Sequence, residues 1–290
     1  MQAFRPRAFL LLASLAPAFL GGSAAALQVS APKPAAAAEE LPTARAVIDR
    51  FSDVTGGKAL VEKTTSMHLK GTLSLEAMGM KGEFERLSAK PDKMLIKSSL
   101  GGMGSTLIGY DGKVAWMDNA MLGGPQILEG SELMGTLMQA SYDSGLMTDR
   151  EYEKLEVQAR EPFEGHDCYK VLAVYRAPAD PEEAKATEKV RTSLSWFDVA
   201  SGLQIGSQST QAQAGSEISV TSVNADYKKF GDYTFPASMT QEVSGMKVVV
   251  TLTSVEYDKV DPKTFDLPAG VQALLNDEAK QPVPAGSGGK

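Results

Sequence analysis

Cysteine is nearly absent from this chain. Cys168 is the single one among 290 residues, so no internal disulfide can form and the fold must rest on its core. Histidine is almost as scarce: His68 and His166 are the two, and neither stands in a zinc spacing such as H-E-x-x-H. His166 and Cys168 could at most make half of a metal site; a solvated bend histidine beside a buried, inert thiol is the favoured reading. No G-x-S-x-G elbow precedes a helix and no G-x-x-x-x-G-K-S/T loop occurs. Acid pairs such as Asp180 and Glu182 lie in a charged stretch that reads as solvated surface. These absences argue for a protein that performs no catalysis and needs no metal or cofactor.

Basic charge is also in deficit, with 29 Lys and Arg against 36 Asp and Glu and a formal net charge of −7. That balance argues against nucleic acid and against anionic membrane surfaces as direct partners. Long apolar runs are missing except at the start. There Arg5 and Arg7 precede an apolar stretch over residues 8–20, then Gly21-Gly22-Ser23 and the small residues Ala24, Ala25 and Ala26. Basic head, short apolar body and small-residue exit predict a secretory signal peptide over residues 1–26. Pro17 interrupts the body, which falls short of the roughly 20 residues a spanning helix needs. The only cysteine lies far from this leader, so no lipid anchor can follow cleavage, and the mature chain is expected to be soluble and periplasmic. Losing Arg5 and Arg7 takes its net charge two units further negative.

Residues 27–40 form a Pro/Ala-rich spacer and residues 269–290 a C-terminal tail, both loose in composition, with disorder expected over 31–40 and 281–290. Between them, residues 41–268 read as one β domain. Ala44, Val47, Ile48, Phe51 and Val54 repeat at the helical period, with Thr43 placed to cap and Gly56-Gly57 to stop the helix. Over residues 67–75 apolar or Gly positions alternate with polar ones, the period of a half-buried strand. Asp111-Gly112 between β-prone runs predicts a hairpin. A second helix is predicted over 131–142, with Ser131 as its cap and Leu133, Met134, Leu137 and Met138 on one face. Residues 178–189 read as an exposed, charged hairpin extension. About 11–12 short strands with short connections exclude a parallel sheet, which needs long crossovers. The fold class is therefore mainly β: a large curled antiparallel sheet or half-open barrel, with an N-terminal helix and a helical lid.

Methionine is the unusual abundance. Thirteen occur, ten of them between residues 67 and 147. Flexible thioethers suit a surface that repacks around varied ligands, and they equally fill gaps in an imperfect core. A soft Cu(I) site ranks below both, because these residues are spread over several strands. The predicted lid stripe is Leu133, Met134, Leu137 and Met138, facing a wall of Met78, Met80, Phe84, Met94, Ile96 and Trp116.

An ordered series of short motifs spans this domain. Leu41-Pro42-Thr43-Ala44 leads to Val47-Ile48-Asp49-Arg50-Phe51 and Gly56-Gly57-Lys58-Ala59-Leu60. Lys70-Gly71-Thr72-Leu73, Lys90-Pro91-Asp92-Lys93 and Tyr110-Asp111-Gly112-Lys113 with Trp116 follow. Phe197-Asp198, Ser201-Gly202-Leu203, Phe235-Pro236 and Phe265-Asp266-Leu267-Pro268 complete it. The series resembles the superfamily of periplasmic outer-membrane lipoprotein carriers of the LolA/LolB type, and more closely its uncharacterised bacterial relatives. The resemblance implies a half-open barrel whose concave apolar face, lidded by helices, binds acyl chains of lipoprotein or lipid cargo. It implies an inner-membrane release transporter and an outer-membrane acceptor as partners. Acceptor-type members are lipid-anchored, so this chain resembles the soluble carrier side. It departs from the group in its length, its 178–189 insertion, and in having no residue that the sequence assigns to the carriers' lid arginine. The competing expectation is an envelope protein-interaction module with a filled sheet core.

Expressed with its own leader in a Gram-negative host, the protein is expected in the periplasmic fraction, shortened by roughly 26 residues. An intact mass of the full chain recovered with membranes would refute this.

Overall fold

From Ser66 to Tyr257 the chain crosses and recrosses a single sheet. The computed structural model describes residues 40–280 except 103, 214, 215 and 244. The expected leader, the spacer up to residue 39 and residues 281–290 lie outside the described residues. Two helices come first, α1 (Ala44–Thr55) and α2 (Gly57–Lys63). Six strands follow: β1 (Ser66–Leu75), β2 (Met80–Ala89), β3 (Lys93–Leu100), β4 (Gly104–Tyr110), β5 (Ala115–Asn119) and β6 (Gly124–Ile127). Helix α3 (Gly130–Ala140) leads to β7 (Tyr152–Phe163) and β8 (His166–Tyr175), and α4 (Pro181–Ala186) separates β8 from β9 (Thr192–Asp198). The rest is β10 (Gln204–Gln213), β11 (Ser216–Phe230), β12 (Tyr233–Val243), β13 (Met246–Tyr257) and α5 (Ala269–Lys280).

The thirteen strands pair antiparallel in the order β6-β5-β4-β3-β2-β1-β13-β12-β11-β10-β9-β8-β7. This is a curled sheet, not a closed barrel, and its two end strands are β6 and β7. Both ends are blunted against pairing with another chain. β6 is four residues long and carries Pro125, with Gly270 of α5 packed close to that ring. β7 carries alternating charges, including the Lys154–Glu156 pair at 2.9 Å.

Register assigns each side chain to a face. Cross-strand partners share a face, so the pairs Val171–Ser195, Ser195–Ser207, Ser207–Ser222, Ser222–Gln241, Gln241–Val248, Val248–Leu75 and Leu75–Met80 trace one continuous inner surface. Helix α1 lies on this inner face at the β7–β9 end, where Val47, Ile48 and Phe51 pack against Val171, Ala173 and Phe197. Arg50 fixes it there by donating to the carbonyls of Val199 and Ala200 at 2.7 and 2.6 Å. On the outer face Leu87, Leu95 and Trp116 are covered by Phe265 and by Val271 of α5. Farther along that face Phe163 stacks on Trp196 at 4.3 Å, above Cys168 and Ile205. Cys168 is fully buried, and burial pushes its thiol up to about 11.

Several expectations are corrected here. Gly56 caps α1 as expected, but Gly57 begins a second helix rather than ending the first. Residues 178–189 hold α4, not a hairpin extension: Asp180 caps it through bonds from the backbone N–H groups of Glu182 and Glu183, and Pro181 starts it. Ser131 does not cap α3. The helix begins one residue earlier, behind Glu129, and Ser131 Oγ donates instead to Ala186 O at 3.2 Å. β6 was hidden by Gly124 and Pro125, poor strand formers that an end strand tolerates. The expected tail from residue 269 carries α5, whose Val271 is buried.

Trp116 lies flat over Gly109, where an added Cβ would meet three indole atoms at 2.4–2.6 Å. Gly109→Ala is therefore expected to lower stability by about 1–3 kcal/mol in urea melts. Gly135→Ala, inside α3 with nothing within 4 Å of its Cβ, is expected to raise it by about 0.5–1 kcal/mol.

Candidate ligand-binding basin

The sheet's end strands never meet, so the middle of the inner face has to be covered by segments outside the ladder. Helix α3, on the connection from β6 to β7, fills that role, lying between β10 on one side and β3–β5 on the other. Beneath it the floor is apolar: Leu69, Leu73, Val250 and Leu252 pack together, with Phe84 and Met239 half-buried beside them.

Eight of the ten predicted lining residues come to this side. Met80, Phe84, Met94 and Ile96 share the inner face through the Phe84–Ser98 and Arg86–Ile96 pairings. Met134 is buried against the sheet, while Leu133, Leu137 and Met138 stay half-buried on α3. Met94 is buried, whereas Ile96 and Phe84 keep accessible surface. Two residues are placed elsewhere. Trp116 points to the outer face, because its partner Gly109 alternates with Ile108, whose own partner Met117 takes the inner position. Ala115-Trp116-Met117 is apolar on both faces, so no alternation in the sequence reveals which one looks inward. Met78 sits in the 3-10 turn Glu76–Met78, beyond the end of β1, and is 51% exposed.

The charged group in this setting is Arg86, which the sequence analysis did not single out. Its parity in β2 is that of Phe84 and Ser88, so the guanidinium stands on the inner face. Nη2 donates to Gln139 O at 2.5 Å and Nε reaches Ser88 Oγ at 3.4 Å. Burial pulls its pKa below the usual arginine value. Gln139 lies in the last turn of α3, where carbonyls lack helical partners and the helix dipole favours a cation. An arginine at an apolar-face position of an alternating strand is the signal that could have found it.

The same end of α3 carries further polar contacts. Ser141 Oγ donates to Glu151 and contacts Asp143, Tyr142 N donates to Pro91 O at 3.2 Å, and Tyr142 Oη donates to Thr64 Oγ1 at 2.9 Å. Thr64 also bonds Tyr233 Oη, and Tyr233 stacks on Tyr257 at 4.8 Å. Among the described residues no group of three His, Cys, Asp or Glu could hold a metal. His166 Nδ1 lies 3.3 Å from Asp198 Oδ1, and that carboxylate also accepts from Ser201.

Glu151 is buried, its Oε2 has no partner among the described residues, and burial raises its pKa above the ordinary 4.5 despite the bond from Ser141. The folded state thus holds this proton more tightly than the unfolded chain, and stability falls as pH rises through the interval above 4.5. Measured against Glu151→Gln in urea melts, the wild type is expected to gain relative stability as pH is lowered from neutral towards 4.5.

No family model matches the chain, and no curated protein matches it. Among solved structures it is similar to a LolA superfamily protein from Nitrosomonas europaea, with a TM-score of 0.52 at 12% identity over 78% of this chain and 99% of that one. It is also similar to a DUF1329 family protein from Desulfovibrio piger, with a TM-score of 0.49 at 14% identity over 77% of this chain and 97% of that one. At these identities the likeness is one of architecture, and the chain has a LolA-like fold.

Proposed function

We propose that this protein is an exported, periplasmic carrier that holds an acyl chain of a lipoprotein or other lipid between α3 and the sheet, and does no chemistry on it. The observation behind this reading is a mismatch of burial. Leu133, Leu137, Met138, Phe84 and Ile96 stand on inward-facing surfaces yet remain half-buried, where a filled core would bury them fully. The lid is fastened mainly at its ends, by Arg86 and Tyr142 at one and Ser131 at the other. Such a lid can shift without dismantling the sheet. Among the described residues no helix is long and apolar enough to cross a membrane, which suits a carrier. Delivery would then pass from an inner-membrane release transporter to an outer-membrane acceptor.

The energetics allow it. Burying a chain of about 14–16 carbons at about 0.8 kcal/mol per CH₂ yields roughly 11–13 kcal/mol gross. Association and ordering costs reduce this to micromolar affinity.

A fluorescent fatty acid is expected to bind saturably at micromolar concentration and to be displaced by unlabelled lipid. Leu137→Glu should abolish that binding while lowering apo stability in urea by only about 1 kcal/mol. A loss beyond about 3 kcal/mol would mean a leucine in a filled core, and the interaction-module reading would replace this one. Arg86→Met, which keeps the stem but not the guanidinium, is expected to speed amide exchange across α3 with a stability change of about 1 kcal/mol.

A further inference from the structure

At one end of the sheet the turns carry methionine where turns ordinarily carry polar residues. The β1–β2 connection is the 3-10 turn Glu76–Met78 closed by Gly79, and the β5–β6 connection is the 3-10 turn Ala120–Leu122 closed by Gly123. Both glycines adopt positive φ, 62° and 100°, which tightens each turn and throws its apex outward. Met78 and Met121 at these apices are 51% and 60% exposed, the most exposed of the large apolar side chains described. A Cβ at Gly79 or Gly123 would meet nothing within 4 Å, and Met121 lies alongside Gly104 at the start of β4. Register places both turns, and Met246 at the start of β13, along the same edge: Leu75 pairs with Met80 and Val248, and Asn119 with Gly124. Residues 120–125 and 245–246 carry no charge, and the Met78 turn is flanked by one exposed acid, Glu76, and one exposed base, Lys81.

This edge continues into the basin. Leu75, Leu100 and Met80, which reach it, belong to the same packed cluster as the floor residues Leu69 and Leu73. At the other end of those strands Met67 pairs with Tyr257, beside the Tyr233–Tyr257 stack and the Thr64–Tyr142 bond.

We propose that the turn edge bearing Met78 and Met121 is a bilayer-contact surface, which dips both side chains into the outer layer of a zwitterionic membrane at the end of the sheet where the floor cluster terminates. The occupant follows from shape and charge. The two apices lie four strand spacings apart, about 19 Å, as separate convex knobs. A folded partner would need two matching pockets, whereas a fluid bilayer accepts both. Unbranched, polarizable methionine suits such shallow burial. The Met121 turn carries no charge, and Glu76 beside Met78 is offset by Lys81, so anionic lipid gains no purchase on this acidic protein and contact rests on apolar burial. The surface extends the carrier reading, since it would let a chain pass between bilayer and floor without crossing water.

The test is flotation of the mature protein with phosphatidylcholine vesicles. The wild type is expected to float with them, equally at low and high salt. Met78→Gln/Met121→Gln should lower the partition coefficient at least tenfold, while Leu41→Gln/Val54→Gln, which changes exposed apolar residues elsewhere, should not. A wild type that stays in solution, an equal loss in both double variants, or binding that needs anionic lipid and vanishes in salt would each overturn the proposal. Titration with a fluorescent fatty acid in vesicle-free solution separates it from the carrier reading: the Met78→Gln/Met121→Gln protein should retain wild-type affinity. A wild type that floats but binds no fatty acid would refute the carrier and leave the bilayer edge standing.

Discussion

A sheet whose end strands do not pair cannot enclose its own interior. The curl from β6 to β7 brings thirteen strands round far enough to make an inside, but hydrogen bonding never closes the circle. Whatever covers the inner face must come from segments outside the ladder, and each helix among them has to find its own fastening. Helix α1 finds it in an apolar seam with β7–β9 and in two arginine-to-carbonyl bonds. Helix α3 has a thinner attachment: one buried side of methionine and alanine, and polar bonds at its two ends. The proposed lid role of α3 rests on this difference.

The two faces also divide the work of stability. The outer face is sealed by the Pro262–Phe265 turn and α5 over Leu87, Leu95 and Trp116, and by the Phe163–Trp196 stack. These contacts hold the sheet's curvature without using the inner surface, so apolar area can remain uncommitted there. Glycine is spent where aromatic rings press closest, at Gly109 under Trp116 and at Gly206 under Phe163.

Much of this was legible in the sequence because it rests on local periodicity. The α1 stripe with its Thr43 cap, the β4–β5 turn at Asp111-Gly112 and the helix near 131–142 all follow from spacing alone. The antiparallel class followed from short connections. What escaped depended on relations between distant segments. Trp116 and Met117 are equally apolar, and only pairing with Gly109 and Ile108 decides which looks inward. Arg86 reads as an ordinary solvated charge until β2 is set in register and Gln139 O is brought over it. α4 is too short for a periodic signal, and α5 is apolar mainly where it meets the sheet. Met78 has lining-type chemistry but sits one turn past the strand, where composition cannot tell wall from rim.

Cys168, sealed beneath Trp196 and Ile205, gives the molecule a chemical silence. With its pKa pushed up to about 11, only about one thiol in ten thousand is ionised at neutral pH, and the thiolate is the reactive form. Thiol-exchange catalysts therefore meet no accessible thiol on the folded protein, and oxidants find their sulfur instead in the exposed thioethers of Met78 and Met121. A second cysteine introduced anywhere on the surface would consequently be the sole target of a maleimide dye, and the native fold itself would serve as the protecting group.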